Sequence, residues 1–322
     1  MSAIPRIALL GCGNWGKNLA RNFNHLDALA LVCDLSEAGR ATAAEIAPGV
    51  ATSADFSDAI QSNDIDAVAI ATPAQTHFHL AEQALIAGKD VYLEKPMTLS
   101  VEEAEKLIDI ADQRQRILMV GHLLLYSSPI QWIRSYIASG SLGKVQHISV
   151  KRAKTGKVRS HENVMWSFAC HDIAAVLYLL NDRKPSEIKA VGNCFLQDGV
   201  EDDTHLHLKF SEGASAYIHS SWYWPDNERH YVVLGDLQWL KFDEVVNEIT
   251  VYNKGIKGDL TNRDLGSFKP NFETYQPLMK ECEHFFECLV KRSTPRSCGR
   301  NGLDVVRILE NATEVMNGSS AD

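Results

Sequence analysis

The chain has 322 residues, 45% of them hydrophobic and 23% charged, and carries a formal net charge of −9. That is the composition of a soluble globular protein long enough for two domains whose cores need no covalent staples. The acidic balance excludes a general affinity for nucleic acid or anionic membrane, and no apolar run approaches the roughly 18–20 residues that span a bilayer.

Residues 1–6 lead straight into strand-like sequence with no apolar leader or cleavage site, so no signal peptide is expected. Through about His122, short apolar strands alternate with helical segments: RIALLG, LALVCD, a weak strand near Val50, DAVAIATP, DVYLEKP and ILMVGH. Helices are predicted over residues 16–24 and 76–87, the latter stopped by Gly88, and from an N-cap at Ser100 through residue 113. This is the pattern of a doubly wound α/β domain, expected over residues 1–122. A helix at 129–139 follows, and then the rhythm changes to strands joined by turns: VQHISVKR, EIKAVGNCFL, THLHLKF, ASAYIHSSWYW, HYVVLGD, LQWLKFD and EITVYN. Alternation such as His205 and His207 against Leu206 and Leu208 predicts a second domain, 123–322, with a sheet that has one apolar and one more polar face. Helices at 171–180, 276–291 and 302–317 complete it, and the tail from residue 318 reads as disordered. The seven cysteines are odd in number and form no C-x-x-C pair, which suits reduced thiols in a cytoplasmic protein.

The first strand ends in GCGNWG, so Gly11, Gly13 and Gly16 fit G-x-G-x-x-G between a strand and a helix, with Asn14 and Trp15 in the loop. Gly11 permits the turn, Gly13 lets backbone approach a pyrophosphate, and Gly16 allows close helix packing, while the helix N-terminus offers free N–H groups to phosphate. Asp34 ends the second strand where a carboxylate accepts hydrogen bonds from the adenosine ribose. Its charge would repel a 2′-phosphate, so the expected cofactor is NAD.

The stretch VYLEKP places Glu94 and Lys95 at the carboxyl end of a strand, where ligands of doubly wound sheets bind, and Pro96 directs the chain's exit. Taken alone it also suits a lysine reaching solvent. The series IATPAQTHFHLAEQALIAGKDVYLEKPMTLS, with A-T-P, His77, A-G-K and E-K-P in order, resembles the Gfo/Idh/MocA oxidoreductases, a resemblance that covers the whole chain and implies an α+β second domain built on a large open, mostly antiparallel sheet. It implies that Thr72, Pro73 and His77 border the cofactor, that Glu94 and His122 lie near the nicotinamide, and that Lys95 is catalytic. A helical histidine of the family's second domain matches His171, and its customary aspartate four residues earlier is Ser167 here. Asp172 is left either to orient His171 or to cap its helix. Retention of Lys95 with His171 argues against a non-catalytic dinucleotide sensor.

The run VKRAKTGKVRSHENVMWSF packs Lys151, Arg152, Lys154, Lys157 and Arg159 into nine positions, which suits a phosphate or diphosphate and equally a charged edge strand. With GHLLLY and SWYWPDNERHYVVLG it resembles the family branch acting on nucleotide sugars. That implies a UDP-sugar substrate, oxidation at the 3-hydroxyl of UDP-N-acetylglucosamine, and a downstream aminotransferase serving lipid A synthesis. Arg159, Glu162, Asn163 and Trp166 would line the sugar-nucleotide pocket, joined by Tyr126, Tyr223, Trp222 and Arg229. Trp222, Tyr223 and Trp224 also suit sheet core or a subunit contact. A uronic acid of the same sugar and a free polyol such as inositol are the competing substrates. The family's large sheet implies a homo-oligomer, dimer or tetramer. His77-x-His79, at a helix start, and His205-x-His207, on a strand, are read as lacking the third ligand that a catalytic zinc would want, so no metal is expected.

Overall fold

The computed structural model describes residues 4–160 and 162–318, so the expected disorder of the tail falls largely outside the described residues. The first sheet contains β1 (Ile7–Leu10), β2 (Leu29–Cys33), β3 (Ala51–Ser53), β4 (Ala67–Ile70), β5 (Asp90–Leu93) and β6 (Leu118–Val120). Its order is β3-β2-β1-β4-β5-β6, with every pairing parallel. The connections carry α1 (Gly16–His25), α2 (Glu37–Ile46), α3 (Ser57–Ile60), α4 (His77–Ile86) and α5 (Val101–Arg114). β1, β4 and β5 are buried throughout, as strands covered on both faces must be. Ser36 caps α2 through the Gly39 amide at 3.1 Å and Ser100 caps α5 through the Glu103 amide at 3.2 Å. The order reverses between β1 and β4, which is where a doubly wound sheet opens its ligand crevice.

The second sheet is built after α6 (Ser128–Ala138) from β7 (Val145–Ala153), α7 (Cys170–Leu179), β8 (Pro185–Asn193), β9 (Asp203–Phe210), β10 (Ser215–Ser221), β11 (Glu228–Gly235), β12 (Trp239–Asp243), β13 (Glu248–Ile256) and β14 (Asn262–Phe268). Its order is β14-β13-β12-β11-β7-β10-β9-β8, antiparallel except for the parallel β7–β10 pair. One face buries Ile148, Val150, Leu206, Leu208, Ile218, Val233 and Leu240. The alternate residues, including His147, Lys151, His205, His207 and Tyr217, form the more open face. β14 was not expected: NRDLGSF is exposed along almost its whole length and shows no apolar alternation. α7 is preceded by a π-helical turn, Met165–Ala169.

α8 (Pro277–Lys291) and α9 (Gly299–Met316) close the chain. The expected single cut after residue 122 gives way to an interleaved division: one compact unit is Met1–Tyr126 with Gln276–Val306, the other Ser127–Tyr275 with Arg307–Asp322. The physical reason is apolar. Phe285 of α8 meets Phe23 and Tyr92 edge-on, with ring centroids 6.3 and 5.7 Å apart, so the first unit's core takes side chains from both ends of the chain.

Candidate active site

In the first unit the glycine loop has the geometry its sequence implied. Gly11 adopts φ +90°, in the left-handed region. A Cβ on Gly16 would fall 2.0 Å from the Gly11 carbonyl oxygen, whereas one on Gly13 would meet nothing within 4 Å. The loop is therefore packed hard on one side and open on the other, with Gly13, Asn14 and Trp15 exposed. α1 starts with neither a side-chain cap nor an acidic residue in its first turn, leaving its N-terminal field to an anion.

Asp34 accepts from the Cys12 amide at 2.7 Å and from the Ser36 amide and hydroxyl at 2.8 and 2.7 Å. Burial alone would raise its carboxyl, but the Ser36 hydroxyl and these two amides together outweigh burial and hold it below the usual carboxylate range. An anionic carboxylate beside the glycine loop, with acceptor capacity to spare, fits a ribose diol and disfavours a 2′-phosphate.

Glu94 directly follows the buried strand β5 and is itself buried. The indole Nε1 of Trp15 donates to its Oε1 at 2.5 Å, the Tyr92 hydroxyl donates to the same oxygen at 3.2 Å, and the Lys95 amide donates to Oε2 at 3.2 Å. Burial raises its pKa to about 7, against the opposing pull of the Trp15 hydrogen bond and the Lys95 charge. Gly121 leaves room for this carboxyl, since a Cβ there would sit 3.0 Å from it. Lys95 follows, half-buried, and its bond to Pro96 is cis.

His122 is buried, and neither ring nitrogen has a hydrogen-bond partner among the described residues. Burial, and then the Lys95 charge, lower its pKa to about 3, so its ring is a neutral donor–acceptor near neutral pH. Thr72 is half-buried and Pro73 exposed, and the Thr72 hydroxyl lies 2.7 Å from that of Thr76.

Two further expected site residues are buried and hydrogen-bonded within the first unit. His77 is buried with Nδ1 2.8 Å from the Pro96 carbonyl oxygen and Nε2 2.9 Å from that of Thr72. It braces the two loops, and desolvation lowers its pKa. Tyr126 is also buried, its hydroxyl 2.9 Å from that of Ser297 and its ring under the Arg296 guanidinium at 4.9 Å. It packs in the first unit's core.

Glu281 of α8 was not anticipated. It is wholly buried near the Tyr92 hydroxyl without closing a hydrogen bond of good geometry, and burial, then Glu94, push its pKa far up. The available signal was spacing: residues 281, 282, 285, 288 and 289 form one buried stripe of α8.

In the second unit, His171 lies in the first turn of α7 and is half-buried. Asp172, fully buried, neither orients it nor caps the helix: it takes two 2.8 Å bonds from Arg152 and one of 2.5 Å from the Tyr231 hydroxyl. Arg152 also donates to Glu244 at 2.7 Å, and Lys151 pairs with Glu228 at 2.9 Å. Two of the five cations expected to form a diphosphate site are thus committed inside the unit, leaving Lys154, Lys157 and Arg159.

Arg159 pairs with Glu162 at 3.3 Å on the surface. Asn163 donates to Glu201 at 2.7 Å, and its own Oδ1 accepts from the Trp166 amide at 3.1 Å. The Trp166 indole donates to Thr313 Oγ1 at 3.0 Å. Trp222 is core, bonded to Asp202 at 2.6 Å, and Arg229 pairs with Glu244 at 3.2 Å, whereas Tyr223 is 55% exposed. Around His205 the gathered groups are Asp203, two residues earlier on the same face of β9, and His219, set opposite by the β9–β10 pairing, rather than His207.

A 3-2-1-4-5-6 parallel sheet with a glycine loop, an ionised carboxylate beside that loop after the second strand, and an acid–lysine pair at a strand's carboxyl end is the architecture of an NAD-binding oxidoreductase. The chain belongs to the GFO/IDH/MocA family: residues 5–122 match the model "Oxidoreductase family, NAD-binding Rossmann fold" and residues 130–241 the GFO/IDH/MocA C-terminal domain. It is 30% identical over 251 residues to a UDP-N-acetylglucosamine 3-dehydrogenase of Acidithiobacillus ferrooxidans, covering 78% of this chain and 77% of that one. The solved structure of a UDP-N-acetylglucosamine 3-dehydrogenase from that organism superposes with a TM-score of 0.86 at 25% identity, covering 98% of each chain. Inositol 2-dehydrogenase of Rhizobium meliloti is 27% identical over 230 residues, 67% of this chain and 68% of the relative. No helix among the described residues is long and apolar enough to cross a membrane.

Proposed function

We propose that this oxidoreductase oxidises the 3-hydroxyl of UDP-N-acetylglucosamine to the 3-keto nucleotide sugar. The observation that carries the reading is the similarity to the Acidithiobacillus ferrooxidans enzyme, which spans 78% of the chain. Bound NAD supplies the hydride acceptor. Gly11, Gly13, Asn14, Trp15, Gly16 and Asp34 hold it, with Thr72, Pro73, Glu94 and His122 toward the nicotinamide. Removal of hydride from a carbinol carbon requires the hydroxyl proton to leave and the oxygen's charge to be stabilised, and Lys95 and His171 divide those two tasks. Lys154, Lys157 and Arg159 offer the diphosphate its cations, and Glu162, Asn163, Trp166 and Tyr223 contribute to the sugar side. In this reading the protein works in the cytoplasm as a homo-oligomer, and its ketone is consumed by an aminotransferase that serves 3-amino-sugar lipid A.

Steady-state NADH formation across UDP-N-acetylglucosamine, its uronate and free inositol tests the substrate. Turnover is expected with UDP-N-acetylglucosamine and is expected to fall by about 10²–10⁴-fold in Lys95→Ala. Turnover of inositol with no response to the UDP-sugar would replace this reading by polyol oxidation.

A further inference from the structure

The open face of the second sheet gathers a donor set that hydride transfer does not use. Residues 203 and 205 share that face because strand side chains alternate, and the β9–β10 register sets His219 directly opposite His205. The two imidazole rings stack 4.2 Å apart at 11°, and both Nε2 atoms converge on one carboxylate. His219 Nε2 lies 2.8 Å from Asp203 Oδ2, and His205 Nε2 lies 3.1 Å from Asp203 Oδ1. Ligand atoms bound tetrahedrally at ~2.0 Å from zinc stand roughly 3.3 Å apart, so small side-chain rotations would admit an ion among these donors.

The surroundings support this use. His205 Nδ1 meets the Tyr217 hydroxyl, an outer hydrogen bond that fixes the ring and leaves Nε2 as the donor atom. The edge of Trp224 walls His219 at 5.2 Å. Asp203 and His219 are buried while the His205 side chain is 35% exposed, which gives an entry path and an outward position for water. The cross-strand neighbour Lys151 opposes a cation, but its ammonium is paired with Glu228 at 2.9 Å and lies over the Trp224 ring at 4.1 Å.

We propose that Asp203, His205 and His219 bind one divalent transition ion of the zinc type, with at least one outward coordination position left to water. Two neutral imidazoles and a carboxylate suit such an ion and suit magnesium or calcium poorly. The ion clips β9 to β10 through side chains that backbone pairing already aligns.

The test uses the full-length chain without a histidine tag, stripped by chelator and titrated with Co²⁺ and then Zn²⁺. About one equivalent of Co²⁺ should bind, with visible ligand-field bands and no thiolate charge-transfer band, and Zn²⁺ should displace it and raise the melting temperature. His205→Gln and His219→Ala should each abolish the bands and the thermal shift, while His207→Gln, on the same strand face but outside the trio, should retain both. Should His219→Ala fail to fold, the half-exposed His205→Gln decides. Absence of saturable Co²⁺ binding, a thiolate band, or binding that survives His205→Gln would overturn the site.

Discussion

Glu94 carries opposing demands, and its environment decides between them. Burial favours the protonated acid, whereas the Trp15 indole and the Lys95 charge favour the carboxylate, and the balance leaves a pKa of about 7 against an ordinary 4.5. The folded protein therefore holds a proton in that window that the unfolded chain has released. The associated stability is complete below about pH 4.5 and is lost as pH rises through 7. Glu94→Gln cannot ionise and keeps an acceptor for Trp15, so without cofactor it should melt above the parent protein at pH 8 and close to it at pH 5, as read by calorimetry. Asp34 is the contrasting carboxylate, held ionised by two amides and a hydroxyl. Asp34→Ala should weaken NAD binding by about 10–100-fold, the cost of a lost charge-assisted hydrogen bond, when NAD is titrated by fluorescence or calorimetry.

Among elements, the turn from β1 into α1 is the most tightly specified. A methyl at position 16 would strike the Gly11 carbonyl oxygen at 2.0 Å, and backbone cannot yield as a flexible side chain does. Gly16→Ala should therefore displace the loop and abolish measurable NAD binding, whereas Gly13→Ala, which meets nothing in the free protein, should keep its stability and lose only cofactor affinity. Melting temperature and NAD titration of the two variants separate packing from approach to the ligand. In the other sheet, β7 shows how one strand divides its charges: Arg152 is spent on the buried Asp172 and Glu244, while Lys151 lies on the face that carries His205 and His219.

At the scale of the whole molecule, the first unit needs both ends of the chain. α8 returns Cys282, Phe285 and Leu289, all buried, and Phe285 closes an aromatic cluster with Phe23 and Tyr92. A fragment ending at Tyr126 would leave that apolar surface in water. It should show no cooperative thermal transition, and the loss of Phe285 alone corresponds to about 3–5 kcal/mol, the usual cost of removing a buried aromatic side chain. Far-UV circular dichroism of the 1–126 fragment during heating checks this.

The nucleotide-binding half was legible because its determinants are local. G-x-G-x-x-G, Asp34 and Glu94-Lys95 owe their placement to strand ends and one turn, and short-range sterics state such positions in the order of residues. The strands from β7 to β13 were legible for a similar reason, since alternation is written residue by residue, whereas the polar edge strand β14 had none to show. Tertiary structure alone decided what depended on partners far along the chain. It committed His77 to a brace and Tyr126 to a core, enclosed Glu281 beside Tyr92, took Arg152 inward, and set His219 against His205. The physical reason is that burial and pairing are properties of neighbours in space, and a single sequence records each side chain's chemistry without recording which others will surround it.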